Sequence, residues 1–334
     1  MPYRRAATPG GGRAYWGLAA ALLVLVALCL VSIGLGAGEF SYAALLGGPD
    51  AARTWQLLMV SRVPRTLALL LAGLALAVAG LLMQMLVRNR YVEPSTAGTI
   101  ESATFGILVV TLLAPGAPVI AKMLAATGFA LAGSLLFLAL LRRVPLRTPF
   151  IVPLVGLILG GVIQAATTYV AFHYDLLQSL HAWTMGDFSG VLRGRYELLW
   201  IGLALTCVAY LAADRYTVAG MGREFASNLG LNYARLTFAG LLIVSAIAAV
   251  VVVTAGSIPF LGLIVPNAVS LVMGDNMRRA IPWVAVLGGI FVLACDILGR
   301  LVLYPYEVPI GTVVGVVGSV LFLWLLLSRR GRLG

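Results

Sequence analysis

Asp296 and Arg300 stand four residues apart inside an otherwise apolar run. On a helix that spacing puts both on one face, where an acid and a base can neutralise each other. A lone charge at bilayer depth costs at least about 2.5 to 3.5 kcal/mol on insertion scales. Glu101 has no such local partner. Two readings of it stay open: it lines a pathway, or it is a protonated or hydrogen-bonded packing residue. His173 and His181, eight apart with Asp175 and Asp187 nearby, are the only start of a metal site. They lack the paired spacing of a ligand set, so they read as a solvated outer face and no metal is expected. Cys29, Cys207 and Cys295 each lie inside an apolar run and read as small packing hydrophobes. The single lysine, Lys122, follows Ala121. No Gly-Lys-Ser/Thr phosphate loop exists, so any ATP that drives this protein is bound by a partner. No catalytic residue emerges.

The elements that must position these groups are membrane helices. Of 334 residues, 61% are hydrophobic and 10% charged, and the mean hydropathy is +1.02. Soluble domains carry roughly a quarter charged residues. The composition therefore excludes a soluble globule, a disordered tail, a collagen and a disulfide scaffold, and leaves an all-α polytopic membrane protein. At about 20 residues per crossing, ten spans are predicted: 16–36, 66–87, 95–113, 119–141, 150–172, 198–213, 236–254, 259–273, 281–303 and 309–327. The third, sixth and eighth are the weakest, each short or interrupted by Gly, Pro or charge. One membrane domain, 16–327, sits between tails 1–15 and 328–334.

Orientation follows from the arginines. With both termini in the cytoplasm, Arg53, Arg62, Arg65, Lys122, Arg193, Arg195 and Arg300 fall outside, and the other 16 of the 23 basic residues fall inside. That is the expected positive-inside bias. The net charge of +11 is thus a topology signal set in short clusters between apolar runs, and no nucleic-acid partner is expected. Basic residues ahead of the first apolar run suggest a signal peptide, but that run outlasts the 7 to 15 residues of a signal core. It reads as an uncleaved span, preceded by a Gly-rich mobile stretch at residues 8–12.

Two inner loops look functional. Residues 88–98 are polar and Pro-interrupted, longer than a tight turn needs. Residues 220–236 predict a short amphipathic helix ending at Gly230, the usual residue after a helix stop. Met221, Phe225 and Leu229 recur every four residues there, forming a stripe for a partner's groove or for the membrane surface. Small residues, Gly156 and Gly160 in the fifth span and Gly311, Gly315 and Gly318 in the tenth, permit close helix approach, within one subunit or across a dimer.

Several of these stretches resemble one family. Arg62-Val63-Pro64-Arg65-Thr66-Leu67, the loop from Asn89 to Gly98, the segment from Gly220 to Asn232, and Pro309-Ile310-Gly311 are similar to the FecCD-type membrane subunits of bacterial ABC importers for ferric siderophores, haem and cobalamin. The run from Gly256 to Asn267, Gly-Ser-Ile-Pro-Phe-Leu-Gly-Leu-Ile-Val-Pro-Asn, resembles the family's Gly-x-Ile-x-Phe-x-Gly-Leu-x-x-Pro-His.

The resemblance implies a type II ABC importer permease fold in the bacterial inner membrane, a transport subunit rather than an enzyme, with no cofactor of its own. Its partners would be a second permease subunit (a copy or a paralogue), two ATP-binding subunits that hold ATP and Mg, an outer substrate-binding protein, and the surrounding membrane lipid. Met221, Arg223, Glu224, Phe225, Leu229 and Gly230 would contact the ATPase. Arg62, Arg65 and Arg300 would meet acidic residues on the binding protein, a task suited to the arginine fork; for Arg300 the pairing with Asp296 competes. Asn89 and Tyr91 would face the pathway at a cytoplasmic gate, with Glu101 a further pathway candidate. Here the chain departs from the family: Asn89-Arg90-Tyr91 replaces the common Asn-Pro-aliphatic, and Asn267 stands where histidine is common. The wording from Tyr91 to Thr99 resembles the ferric siderophore branch, often catecholate; haem and cobalamin are the alternatives. An ion-coupled secondary transporter is the competing class. The scarcity of intramembrane ionisable groups counts against it.

Overall fold

The computed structural model describes residues 11–35, 51–144, 150–274 and 276–329. Among the described residues the chain is helical with no strand, its one extended pairing a parallel bridge between Met185 and Ser257. Six apolar helical stretches among the described residues are long enough to cross a membrane: Trp16–Gly34, Ala51–Val87, Val119–Leu141, Ile151–His173, Tyr233–Ala255 and Met277–Val302.

The second of these corrects the sequence reading. The span predicted over 66–87 is the C-terminal part of a 37-residue helix, made of α2 (Ala51–Leu57), a π-helical turn (Leu58–Arg62) and α3 (Val63–Val87). Arg53, Arg62 and Arg65 hid the extension by lowering its apolar character. The π turn answers to Pro64, which has no N–H to give the carbonyl four residues back. That carbonyl, of Val60, instead accepts the Arg193 N–H at 3.0 Å.

α3 is the hub. Its apolar window is 83% buried, against 11% for α1 (Gly11–Gly34), and α13 (Met277–Val302), α11 (Tyr233–Ala255), α12 (Leu261–Met273) and α8 (Leu199–Leu211) all pack on it. Close approach needs missing side chains. A Cβ on Gly80 of α3 would overlap the backbone of Gly262 in α12, so these helices touch main chain to main chain.

The three weakest predicted spans fall short of a full crossing, and so does the tenth, whose apolar part is Ile310–Leu325. α4 (Thr99–Leu113) starts only after a 3₁₀ turn at Pro94–Ala97. α8 and α9 (Ala213–Gly220) meet at a 66° bend. α12 follows Phe260, held at φ +63°. Each is broken at one end, which shortens its apolar run. α5 (Val119–Leu141), α6 (Ile151–His173) and α14 (Ile310–Arg329) lie close to their predicted ranges.

Two segments are more ordered than expected. The stretch around His173 and His181 contains α7 (Leu177–Thr184), whose Leu180 packs with Leu108 and Ala171. The predicted tail over 1–15 is already helical from Gly11; residues 1–10 and 330–334 lie outside the described residues, with most of the predicted Gly-rich stretch and C-terminal tail. Among the described residues no three His, Cys, Asp or Glu side chains gather as a metal site.

Candidate functional site

Three layers of polar residues run from one face to the other. At one face the N-terminal turn of α3 and the C-terminal end of α13 meet the end of α1. Asp296, 3% exposed, accepts from Arg65 Nη2 at 2.9 Å and pairs with Arg300 on its own helix. Arg65 Nη1 also reaches Glu307 Oε2 at 2.7 Å. Arg300 Nη1 donates to the carbonyls of Ser32 and Leu35, at 3.0 and 3.1 Å, and Arg62 Nη1 to those of Ile33 and Gly34, at 2.9 and 3.0 Å. Both arginines thereby cap the last carbonyls of α1, where a cation suits the helix dipole. Spacing alone revealed the Asp296–Arg300 pair. It did not reveal that Arg65 and Glu307 join, or that each arginine already has protein partners.

In the middle layer, the loop after α3 folds back against α12. Arg88 ends α3 at φ +56°, and Asn89, 7% exposed, uses its Oδ1 to accept the Tyr91 N–H at 2.8 Å. Tyr91 stacks on Phe150 (centroids 5.0 Å apart) and meets Phe322 edge-on (6.3 Å), so it bridges the starts of α6 and the far end of α14. The residue that sequence reasoning missed is Glu93. It is buried, yet its Oε1 accepts the Phe260 N–H at 2.8 Å and the Ser95 hydroxyl, and its carboxyl draws on the N–H groups of Gly262 and Leu263. A carboxyl from one loop thus caps the N-terminus of α12, whose own sequence offers no Ser, Thr, Asp or Asn cap. Asn267 Nδ2 donates to the Arg90 and Leu263 carbonyls, both at 2.7 Å, and Gln84 Nε2 to the Gly262 carbonyl at 3.2 Å. Loop and half-helix are one body. The findable signal was Glu93-x-x-Thr96, a capping box beside an uncapped helix start.

Glu101 lies on α4 against Gly160 of α6: a Cβ at Gly160 would sit 3.3 Å from the Glu101 carboxyl carbon. Its Oε2 is buried without a hydrogen-bond partner. Gly156 lies against the Thr96 carbonyl, closer than any Cβ would allow. Gly311 donates its N–H to the Gly186 carbonyl at 2.9 Å, and Gly315 faces Pro259. Gly156, Gly160 and Gly311 all meet groups of their own subunit.

The third layer is the amphipathic segment over 220–236. The predicted helix ending at Gly230 is split: α9 ends at Gly220, Gly222 turns the chain at φ +119°, and α10 (Arg223–Asn228) follows. Gly230 closes it at φ +78°, with Leu231 N–H bonded to the Ala226 carbonyl at 3.0 Å, a Schellman stop. Met221, Phe225 and Leu229 are each about half exposed, and Arg223 and Glu224 are exposed too. The Arg88 guanidinium rests on Gly222, where a Cβ would lie 3.3 Å from Nη1. A groove of about 560 Å³ runs between Gly220–Met221 and Arg88–Asn89. The segment with an unpartnered apolar stripe is therefore in contact with the loop that holds α12.

A model of the FecCD transport family matches residues 22–328. The petrobactin import system permease protein YclN of Bacillus subtilis is 45% identical over 309 residues, covering 92% of this chain and 97% of that protein. The ferric-anguibactin transport system permease protein FatD of Vibrio anguillarum is 40% identical, covering 92% and 97%. An inward-facing structure of an ABC transporter of the metal-chelate type superposes with a TM-score of 0.78 at 23% identity, over 93% of this chain and 98% of that one.

Proposed function

The chain belongs to the FecCD transport family, and from that premise we propose that it is the permease subunit of an ATP-driven importer carrying a ferric siderophore, of the catecholate class, from an outer binding protein into the cytoplasm. The reading gains its substrate from relatives named for petrobactin and anguibactin import. The observation that carries the coupling is the contact between the exposed Met221–Phe225–Leu229 segment and the loop that caps α12, through Arg88 on Gly222. A partner that binds ATP and Mg and seats on α10 pushes on the gate through that contact.

Assembly follows the same reading. The six long helices, the bent pair and the three shorter apolar helices make ten crossings with both termini in the cytoplasm of the inner membrane, in one domain over 16–327. Two permease subunits enclose the pathway, with Tyr91 closing it below. The binding protein docks on the outer arginines; Arg62, at the edge of the ion-pair cluster, meets it first, and its carboxylates replace Glu307 on Arg65.

Accumulation of radioactive iron in cells lacking the gene and in rescued cells, supplied as catecholate, hydroxamate or carboxylate chelates, tests the proposal. Loss of catecholate uptake alone, restored by the gene and abolished by ATP depletion with the membrane potential held, is the expected result. Undiminished uptake of every chelate in a strain with no redundant route overturns it.

A further inference from the structure

A second groove, of about 850 Å³, opens where the C-terminal end of α5 meets α10 and the first turns of α11. Its walls divide by chemistry. Leu135 and Leu138 on α5 and Phe238 on α11 are apolar, while Arg142 and Arg223 stand at the helix ends and no acidic residue lines the space. Among the described residues neither guanidinium has an ion-pair or hydrogen-bond partner. Thr237, also in the wall, has a hydroxyl without a partner, whereas Thr104, Thr127, Thr167 and Thr254 each return theirs to the carbonyl four residues back.

We infer that this groove holds an anionic phospholipid, its phosphate on Arg142 and Arg223 and an acyl chain along Leu135, Leu138 and Phe238. Depth decides the occupant. Leu135 lies seven residues from Arg142 on α5, which is roughly 10 Å along a helix, and both α5 and α11 are long enough to span the membrane. The apolar wall therefore runs from the inner surface into the hydrocarbon, where a water-soluble partner cannot follow. A phospholipid has the same order of parts: charge at the surface, hydrocarbon below. Basic pockets between helices at this level suit anionic headgroups, and two guanidiniums in a groove that no acid lines select against a zwitterion. Arg223 also belongs to the proposed ATPase contact, so a bound lipid sets the position from which α10 is presented.

The test uses the purified permease–ATPase complex in detergent, titrated with phosphatidylglycerol or phosphatidylcholine of equal chain length and read by native mass spectrometry. Phosphatidylglycerol is expected to bind at least tenfold tighter, and inorganic phosphate at millimolar concentration is not expected to displace it. Each arginine near the surface contributes about fivefold, so Arg142→Gln/Arg223→Gln should weaken binding about 25-fold. The Arg142→Lys/Arg223→Lys pair should restore most of it, and Leu138→Trp, which fills the apolar wall, should expel the lipid with both arginines present. Equal affinity for the two lipids, displacement by free phosphate, unchanged binding in the glutamine pair, or binding only after the ATPase is stripped away would each overturn the inference.

Discussion

Replacing Glu93 removes the cap of α12 without touching α12 itself. In Glu93→Ala the Phe260 N–H, now bonded at 2.8 Å in a part-buried position, loses its acceptor. An unsatisfied buried donor costs about 1 to 3 kcal/mol, and loss of an N-cap about 0.5 to 2 kcal/mol. The two overlap, since both describe the same amides, so the expected loss is the larger of them, about 1 to 3 kcal/mol. The loss does not stay local, because Phe260 is held at φ +63°, a region that strains a bulky residue, and the Glu93 contact is what fixes it. Glu93→Gln keeps the shape and, through Oε1, the bonds from both Phe260 and Ser95, but its NH2 takes the place of Oε2 and cannot accept from the Gly262 and Leu263 N–H groups. Its loss should be about 1 kcal/mol. Thermal unfolding of the detergent-solubilised protein, followed by fluorescence-detected size exclusion, ranks the three proteins. The order wild type, Gln, Ala is expected, with siderophore uptake falling in the same order. An alanine variant as stable and active as wild type would refute the capping argument, and a glutamine variant as damaged as alanine would show that charge, not hydrogen bonding, is what the site needs.

Asp296→Ala should cost about 3 kcal/mol, because it leaves the buried Arg300 without its carboxylate and beside Arg65, while Glu307→Gln, at a partly exposed pair, should cost under about 1 kcal/mol; melting temperatures of the two variants compare them directly. Met221→Ala/Phe225→Ala leaves folding intact, since both side chains are half exposed, and should weaken ATPase co-purification at least about tenfold, as loss of a buried aromatic anchor does. Gly80→Ala forces α3 off the Gly262 backbone and should destabilise by about 1 to 3 kcal/mol; Gly128→Ala, with nothing within 4 Å of the new Cβ, should be neutral or stabilising in the same heat challenge. Arg62→Glu should lower affinity for the binding protein in a pull-down at low salt, an effect that shrinks as salt screens the surface.

Legibility in the sequence tracked the range of each interaction. Hydrophobic runs located the long helices, and glycine chemistry placed the stop at Gly230, because both are set by neighbours in the chain. The start of the second span was hidden because Arg53, Arg62 and Arg65 look like loop residues until their partners are seen. Those partners are remote: Asp296 and Glu307 lie 231 and 242 positions from Arg65. Glu93 was passed over for the same reason. As a loop acid it invited no explanation, and its role exists only because a helix start 167 residues later has no cap of its own.

The central claim is that ATP bound by a partner, acting through the segment around Met221 and Phe225, moves the gate of a siderophore pathway. Reconstituting the complex in liposomes and following radiolabelled ferric siderophore with the binding protein present tests it most directly. Uptake that requires ATP, persists when ion gradients are collapsed, and is lost in Met221→Ala/Phe225→Ala is the predicted result. Uptake driven by a proton or sodium gradient without ATP would contradict it.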